Sequence, residues 1–512
     1  MANRPSNLPI IIVTGASGLI GRHFLDSFKH NHYLYALARR SQKASGIDFH
    51  PNIQWIRVDI GEEDNVIRVL NHIASLGGAD YFFHFAAYYD FTNKNHPEYE
   101  RTNVTGTRYL LENIEQLHIK RFIFSSSLVV HEFHNKNITI TEKSPTDANF
   151  PYAKSKRQAE EIVKEYSNRF PCTIVRQAAI FSDWCEYQPL YHFLNTWTSK
   201  NWKSKIIAGQ GETAIPYLHV YELNRFFHSI IKKSEKLNSY EILIASPKNP
   251  TSHKTLYENV IKYNYFLSKK PIFFPRWILF FGILVTNSLL HIISKKQFER
   301  IWMLKYVDKK MIIDNRVTCQ KLSCEPTKRF NIERRLVFII GNMKTNAYLW
   351  YYRNELRPYF AILDRKYFKI YEEIVRLKDI IIKKTFELFT SKKNKDLFSS
   401  YQKLEKEKVL YRIEYIYNML ENDIRTGDRS NILNYGKLLA EQRYMEGFSS
   451  EEVKRAVQYT GKIIVDELSL VPELKEIEQK IYDEIMTTIQ MVADTIEDTY
   501  ENLNKKKGTN SV

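Results

Sequence analysis

Short apolar runs alternate with longer polar stretches over the first 180 residues, and the polar stretches carry apolar residues at helical spacing. The runs are typical of buried strands and the stretches of amphipathic helices. Because strands that alternate with helices form parallel sheets, the pattern predicts a doubly wound α/β domain over 1–180. The predicted strands are 9–13, 33–37, 53–58, 81–85, 121–125 and 172–176.

The pattern loosens over 181–345, where Pro189, Pro216, Pro247 and Pro250 are among the prolines that separate short segments. Such punctuation is typical of loops, so we predict a smaller substrate-binding lobe that is interleaved with the sheet domain. One apolar run, 277–293, follows Arg276 and precedes two lysines. The first interpretation of this run is a buried helix, and the alternatives are an anchor in a membrane interface or a cover for a lipid substrate.

Beyond residue 345 the chain is rich in Lys, Glu, Ile and Leu. An apolar residue recurs at three- and four-residue steps from Leu474 to Ile496, which predicts one face of a long helix. Ser449 followed by Glu452 predicts a capping box at the start of another helix. We therefore predict an all-α helical bundle over 346–505 and a disordered tail over 506–512.

Bulk properties narrow the class of protein. The chain has 512 residues, a formal net charge of +17 and four cysteines. No zinc-finger spacing or RNA-binding aromatic signature accompanies the charge, so we expect no nucleic-acid partner. The cysteines have no metal-ligand spacing and are too few for a disulfide scaffold, so we expect reduced thiols and no metal. The start has no signal-like apolar region, which favours a cytoplasmic protein, with peripheral membrane contact through 277–293 as an option.

A glycine-rich segment, TGASGLIG at 14–21, follows the first predicted strand and opens a helix. Glycines in this order allow a tight turn, close approach of a pyrophosphate, and close packing of helix on sheet. The N-terminus of the helix supplies free N–H groups to the phosphates. The segment predicts a Rossmann-type dinucleotide site, with cofactor contacts from Gly15, Ser17, Gly18, Leu19, Ile20 and Gly21.

The end of the second strand distinguishes the two nicotinamide cofactors. An acid there would bind the ribose 2′-hydroxyl of NAD, but the strand ends with Arg39, which favours NADP over NAD. Asp59 and Ile60, after the third strand, are predicted to lie beside the adenine. Ala86 and Ala87, after the fourth strand, are small enough to let the cofactor lie close.

The catalytic prediction starts from Tyr152 and Lys156, which are four residues apart and share one face of a predicted helix. The ammonium of Lys156 is expected to lower the pKa of the Tyr152 phenol and to hold the nicotinamide ribose, so both residues also contact the cofactor. Ser127 closes the fifth strand, where its hydroxyl can bind the same substrate oxygen.

Over 8–345 the chain resembles the extended short-chain dehydrogenase/reductase superfamily, which includes the NAD-dependent epimerases and dehydratases. The resemblance rests on TGASGLIG, VDI at 58–60, HFAA at 84–87, NVTGT at 103–107, FSSS at 124–127, PYAKSK at 151–156 and YLHVYEL at 217–223. It implies that Ser127, Tyr152 and Lys156 are the catalytic residues.

Departures from the epimerase pattern bear on the substrate. Val129-Val130-His131 replaces the usual Val-Tyr-Gly, which brings the chain closer to the reductase and 3β-hydroxysteroid-dehydrogenase-like branch. We therefore expect an NADP-dependent oxidoreductase that acts on a small, often apolar substrate, with Tyr88, Tyr89 and Phe91 near it. A nucleotide-sugar epimerase or dehydratase is the alternative, and an NADP-sensing regulatory protein is the alternative from another class.

The helical region has a resemblance of its own. Residues 438–468 are similar to helical input domains of stressosome-type co-antagonist regulators. This resemblance implies a regulatory partner for 346–505, and a homodimer is the other expectation for that region.

Overall fold

The computed structural model describes residues 6–132, 138–265, 270–292, 298–426 and 429–509. The chain divides into two compact units, Met1–Ala38 with Phe49–Tyr359 and Arg39–Asp48 with Phe360–Val512. The strands are β1 (Ile10–Thr14), β2 (Tyr33–Ala38), β3 (Ile53–Arg57), β4 (Tyr81–His84), β5 (Arg121–Ser127), β6 (Thr139–Ile140), β7 (Cys172–Gln177), β8 (Ala179–Phe181), β9 (Ile206–Ala208), β10 (Ala214–Ile215), β11 (Tyr217–His219), β12 (Tyr240–Ala245), β13 (Thr251–Ser252), β14 (Ile272–Phe274) and β15 (Ile312–Ile313).

The α-helices of the first unit are α1 (Leu19–Phe28), α2 (Glu63–Ser75), α3 (Gly106–Asn113), α4 (Pro151–Tyr166), α5 (Gln188–Thr198), α6 (Val220–Lys233), α7 (His253–Tyr265), α8 (Arg276–Ile292), α9 (Arg316–Leu322), α10 (Ile332–Thr345) and α11 (Ala347–Tyr351). Two π-helical segments, Tyr99–Thr105 and Tyr352–Leu356, also belong to it. The remaining helices are α12 (Arg357–Thr390), α13 (Lys406–Thr426), α14 (Ser430–Met445), α15 (Ser450–Ser469) and α16 (Glu478–Thr509).

The central sheet has seven parallel strands in the order β12-β7-β5-β4-β1-β2-β3. This confirms the predicted doubly wound sheet, in which ligands bind beyond the carboxyl ends of the strands at the reversal of strand order. The six predicted strands are all present. The seventh, β12, was not predicted, because it lies in the part of the chain that was assigned to the loop-rich lobe.

The second unit has an apolar interior to which α12–α16 contribute. Ile481, Ile485 and Ile489 of the predicted stripe are fully buried, which confirms the stripe within α16. Its first two residues, Leu474 and Ile477, lie instead in a 3-10 helix, Pro472–Ile477, that precedes α16. The predicted tail is wrong for 506–509, because α16 continues to Thr509. Residues 510–512 lie outside the described residues.

The capping prediction is half right. Ser449 Oγ accepts a hydrogen bond from the Glu452 amide at 3.2 Å, as a helix cap should. The Glu452 carboxylate does not complete the box, because it accepts hydrogen bonds from the amides of Ser400 and Tyr401. The side chain thus connects the start of α15 to the segment between α12 and α13.

The apolar run 277–293 forms most of α8, with residue 293 outside the described residues. The interpretation as a buried helix is wrong for most of its described side chains. Trp277, Phe281 and Val285 are 65%, 60% and 59% exposed, and Ile283 is buried. Within the described residues, no helix has the length and apolar character that crossing a membrane requires.

Candidate active site

The glycine-rich turn lies between β1 and α1, as predicted. Gly15 has a φ of 69°, and a Cβ there would lie 2.5 Å from the Ala86 amide nitrogen. A Cβ on Gly21 would lie 2.3 Å from the Gly15 carbonyl oxygen, so both positions require glycine. Gly18 precedes α1, and a Cβ there would meet only the Gly15 carbonyl among the described residues. Its remaining side is open to a ligand, and the free amides of α1 fit a phosphate.

A cleft of about 380 Å³ borders this turn. It brings together five of the six predicted glycine-segment residues and two of the three predicted aromatic residues. It also contains residues from the 180–188 segment that were not predicted. The lining residues are Gly15, Gly18, Leu19, Ile20, Gly21, Phe85, Tyr89, Phe91, Ile180, Glu186, Tyr187 and Gln188.

A buried histidine, His84, ends β4 and directly precedes Phe85, which lines the cleft. His84 Nδ1 lies 2.6 Å from Thr14 Oγ1, and its Nε2 lies 2.9 Å from Thr107 Oγ1. Burial, and then the charge of Lys156, lower the pKa of His84 well below its usual value. The neutral ring therefore links the ends of β1 and β4 to α3 through hydrogen bonds.

The helix α4 begins at Pro151 and carries both predicted catalytic side chains. Lys156 Nζ donates a hydrogen bond of 2.8 Å to the Ser125 carbonyl, at the carboxyl end of β5. The same nitrogen lies 4.6 Å from the centre of the Phe124 ring. Burial lowers the pKa of Lys156 to about 7, although Glu160 acts in the opposite direction.

Tyr152 packs on the aromatic wall of the cleft, with its ring centre 4.2 Å from that of Tyr89. Burial, and then the neighbouring Tyr99, raise the pKa of the Tyr152 phenol. This is opposite to the predicted lowering, because desolvation dominates while Lys156 binds the Ser125 carbonyl. The phenol is consequently protonated at neutral pH.

The three serines that end β5 have different partners. Ser125 Oγ accepts a hydrogen bond from Gln177 at 3.0 Å, and Ser126 Oγ donates one to the Glu160 carboxylate. Ser127 Oγ has only a long contact, 3.4 Å, from the Val129 amide among the bonds found in the described residues. The predicted catalytic serine is therefore the one of the three that has no short side-chain hydrogen bond.

A buried ion pair behind the serines was missed. Arg176 Nη2 lies 2.7 Å from Glu160 Oε2, and both side chains are 5% exposed. Arg176 also donates to His131 Nε2 at 3.4 Å. Burial and the charge of Arg176 lower the pKa of His131 to about 4. The sequence contained a signal for this ion pair, because one of its residues lies inside a predicted strand and the other on the inner face of a predicted helix.

Asp59, which was predicted to lie beside the adenine, takes part in an ion pair. Its Oδ2 accepts a hydrogen bond of 3.0 Å from Arg101 Nη2, and Arg101 also contacts Glu62 and Glu98. Asp59 Oδ1 accepts a second bond from the Gly61 amide. The carboxylate is fixed at the end of β3, and its role toward a cofactor stays a prediction.

The remaining predicted residues do not line the cleft. Tyr88 donates from its amide to Asn103 and from its hydroxyl to Asp90, so it is bonded to its own loop and to the π-helical segment Tyr99–Thr105. Ser17, Ile60 and Ala87 are absent from the lining, although Ser17 directly precedes Gly18, which belongs to it. Arg39 directly follows β2 and belongs to the second compact unit, so its role stays a prediction.

Comparison with known proteins agrees with this geometry. Residues 11–245 match the "NAD dependent epimerase/dehydratase family". Over 258 residues the chain is 27% identical to dTDP-D-glucose 4,6-dehydratase of Dictyostelium discoideum, covering 45% of this chain and 57% of that protein. It is 24% identical over 217 residues to a putative UDP-glucose 4-epimerase of Methanocaldococcus jannaschii, covering 41% of this chain and 70% of that protein.

A solved structure shares the fold. The dTDP-glucose 4,6-dehydratase of Bacillus anthracis, in complex with NAD, superposes with a TM-score of 0.51 at 19% identity. The superposition covers 68% of this chain and 100% of that one. Over residues 11–245, the chain is therefore similar to the NAD dependent epimerase/dehydratase family.

Proposed function

We propose that the first unit is an enzyme that moves a hydride between a bound nicotinamide dinucleotide and a carbon that bears a hydroxyl or carbonyl group. One observation carries the proposal. A single helix, α4, brings Tyr152 against Tyr89 of the cleft and Lys156 to the end of β5, two residues from Ser127. The helix α4 and the end of β5 thus carry a proton donor, an amine and a hydroxyl, and the proton donor Tyr152 contacts a residue that lines the cleft.

Each side chain has a distinct role in this proposal. The nicotinamide, when bound, supplies or accepts the hydride. Tyr152, with its raised pKa, gives its proton to the substrate oxygen during reduction and takes it back during oxidation. Ser127 hydrogen-bonds the same oxygen. Lys156, which the Ser125 carbonyl orients, holds the ribose.

Two substrate classes follow from different observations. The aromatic lining by Phe85, Tyr89, Phe91 and Tyr187 favours a small, partly apolar substrate with net oxidation or reduction. The relatives that are named as a nucleotide-sugar dehydratase and epimerase favour the second class, a nucleotide sugar and a reaction that regenerates the cofactor. Net consumption of NADPH supports the first class, and turnover without a net change in cofactor supports the second.

We also propose that the cofactor is NADP. The sequence after β2 has Arg39 and Arg40 and no acid that would repel a 2′-phosphate. Titration by nicotinamide fluorescence should show tighter binding of NADPH than of NADH, and Arg39→Ala should narrow the gap. Equal affinities in the wild type would contradict the assignment.

The decisive variant is Tyr152→Phe, which removes one proton donor and leaves the ring in place. We expect turnover to fall by roughly 10²–10⁴-fold while dinucleotide affinity stays within about twofold, because general acid/base groups typically contribute that much. Tyr348→Phe, at a 77% exposed position, is the matched control. Unchanged turnover in Tyr152→Phe would refute the mechanism, and cofactor binding without any turnover would favour a regulatory protein.

We further propose that α8 contacts a lipid surface. Trp277, Phe281 and Val285 form one exposed apolar row beside Arg276, and exposed aromatic and aliphatic residues next to basic ones are typical of interfacial helices. Vesicles that contain anionic lipid should bind the wild-type chain and should bind a Phe281→Glu variant much more weakly. Val317→Glu, at another exposed apolar position, is the control, and equal binding by all three proteins would refute the proposal.

A further inference from the structure

The loop that carries Glu186 into the cleft has an unusual backbone. Cys185 and Glu186 are consecutive non-glycine residues with φ values of 70° and 57°. Backbone hydrogen bonds between Ser182 and Cys185 hold the first, and the Glu186 amide donates to Asn354 Oδ1 at 2.8 Å. Such conformations are strained, and they persist where the surrounding contacts hold them, most often at active sites and ligand-binding sites. The loop is therefore built to hold Glu186 where it lies.

Asn354 comes from a segment outside the family match. It is fully buried in the π-helical segment Tyr352–Leu356, and its Nδ2 donates to the Trp184 and Trp350 carbonyls. π-Helical turns are rare and are frequent at functional sites. Here the wide turn places Arg353 and Arg357 on either side of Asn354, and both arginines face Glu186.

Three guanidinium groups share the single carboxylate of Glu186. Arg22 Nη2 lies 2.9 Å from Glu186 Oε1, and the Nη1 atoms of Arg353 and Arg357 each lie 3.7 Å from a carboxylate oxygen. The Glu186 side chain is only 2% exposed. Burial acts to raise the pKa of Glu186, yet the hydrogen bond from His23 and the charge of Arg22 hold it well below the usual range. The group is ionised, and the arginines exceed it by two positive charges.

The excess charge is buried and incompletely bonded. The side chains of Arg22 and Arg357 are each 9% exposed. Among the described residues, the Nε atoms of Arg22, Arg353 and Arg357 and the Nη1 atom of Arg357 have no hydrogen-bond partner. Burial, and then the charge of Arg22, lower the pKa of Arg357 to about 10. Buried donors without acceptors are costly, so these arginines can bind further oxygen atoms.

We propose that Arg22, Arg353 and Arg357 form a binding site for a phosphoryl oxyanion at the edge of the dinucleotide cleft, with Glu186 as its internal counter-ion. Arginine donors match phosphate oxygens in pairs, and Glu186 lines the cleft together with Gly18 and Gly21. The phosphate comes either from the dinucleotide of the proposed function or from a separate phosphate-bearing molecule. Arg22 and Glu186 lie within the family match, whereas Arg353 and Arg357 lie beyond residue 245 and outside it.

The test uses the full chain and two probes. Thermal melting is compared in inorganic phosphate and in chloride at equal ionic strength, and calorimetry measures the affinity of ADP-ribose and of adenosine. The variant is Arg353→Gln with Arg357→Gln, and Arg334→Gln, an exposed arginine of α10, is the control. In the wild type we expect phosphate to raise the melting temperature, because a ligand that binds only the folded state stabilises it.

The two sources give different results. A loss of about tenfold or more in ADP-ribose affinity in the double variant, with adenosine unaffected, assigns the site to the dinucleotide. If the double variant loses the effect of phosphate on the melting temperature but keeps its ADP-ribose affinity, the site binds a phosphate from a separate molecule. If ADP-ribose does not bind even the wild type, the proposed function fails, and the phosphate comparison still tests the site. The control should match the wild type. A double variant that also matches the wild type, in both melting and ADP-ribose affinity, overturns the proposal.

Glu186→Gln supplies a second test if the double variant does not fold. The amide keeps the shape and removes the negative charge, so the arginines lose their counter-ion. We expect a lower melting temperature in chloride and a larger increase on adding phosphate than in the wild type. An increase that equals or falls below that of the wild type overturns the proposal.

Discussion

The two compact units of the chain bury their charged side chains in different surroundings. In the first unit, paired charged residues lie near the carboxyl ends of the strands, where Glu160 meets Arg176 and Glu186 meets Arg22. The second unit also buries a charged residue, Arg443, but its helices enclose an apolar cluster that comes mostly from isoleucine, leucine, valine and aromatic residues. Burying a charge is costly unless it is paired, whereas burying an isoleucine is favourable.

This difference distinguishes a unit with charged residues beside a candidate active site from a unit whose interior is formed mainly by apolar packing. The first unit keeps Lys156, Glu160 and Arg176 next to the serines that end β5, although apolar residues would fill the space at lower cost. The second unit has helices whose apolar faces cover one another. The comparison predicts that charge substitutions have large effects in the first unit and that small changes of volume decide stability in the second.

The largest expected effect on stability is that of Glu160→Ala. It leaves Arg176 buried without its carboxylate, and breaking such a pair typically costs about 3–5 kcal/mol. We expect the urea midpoint of the first unit to fall strongly. The double variant Glu160→Met with Arg176→Met should recover most of the loss, because two apolar side chains remove the unpaired charge. A single variant as stable as the wild type would show that the pair is not desolvated.

A pH effect on stability is expected from Lys156. Its folded pKa of about 7 lies below the reference value of 10.5, so the unfolded chain holds the proton more tightly between these values. Stability due to this group therefore rises as pH increases from 7 to 9, by at most about 1.4 kcal/mol per pH unit. Lys156→Met should be more stable than the wild type at pH 7, and the gap should shrink toward pH 9. A stability difference between the two proteins that does not change with pH would contradict the lowered pKa.

The sequence predicts what is local along the chain. The glycine turn and the Tyr152/Lys156 pair depend on spacings of a few residues within one turn or helix, and the structure has them where they were expected. Glu186 and Arg357 meet only because distant segments pack together, and no periodic pattern marks such contacts. The pKa of Tyr152 was predicted in the wrong direction for the same reason, because burial depends on neighbours from other segments.

The smallest expected effect comes from a matched pair of glycine-to-alanine substitutions. Alanine stabilises an open helix position by about 0.5–1 kcal/mol relative to glycine. A Cβ added to Gly341, in α10, would have no atom of the described residues within 4 Å, so Gly341→Ala should stabilise the first unit by that amount. Gly461, in α15, lies where a Cβ would be 2.6 Å from Cγ1 of the fully buried Ile489.

Gly461→Ala should therefore destabilise the second unit although alanine favours helix. Extra volume in a packed interior typically costs about 1–3 kcal/mol, which exceeds the gain in helix propensity. Adding Ile489→Val to Gly461→Ala removes one methyl group at the contact and should restore part of the loss. Thermal melting of the wild type and these variants provides the comparison. If Gly461→Ala is as stabilising as Gly341→Ala, then α15 and α16 are not in close contact at this point, and the second unit does not depend on exact volume as the comparison requires.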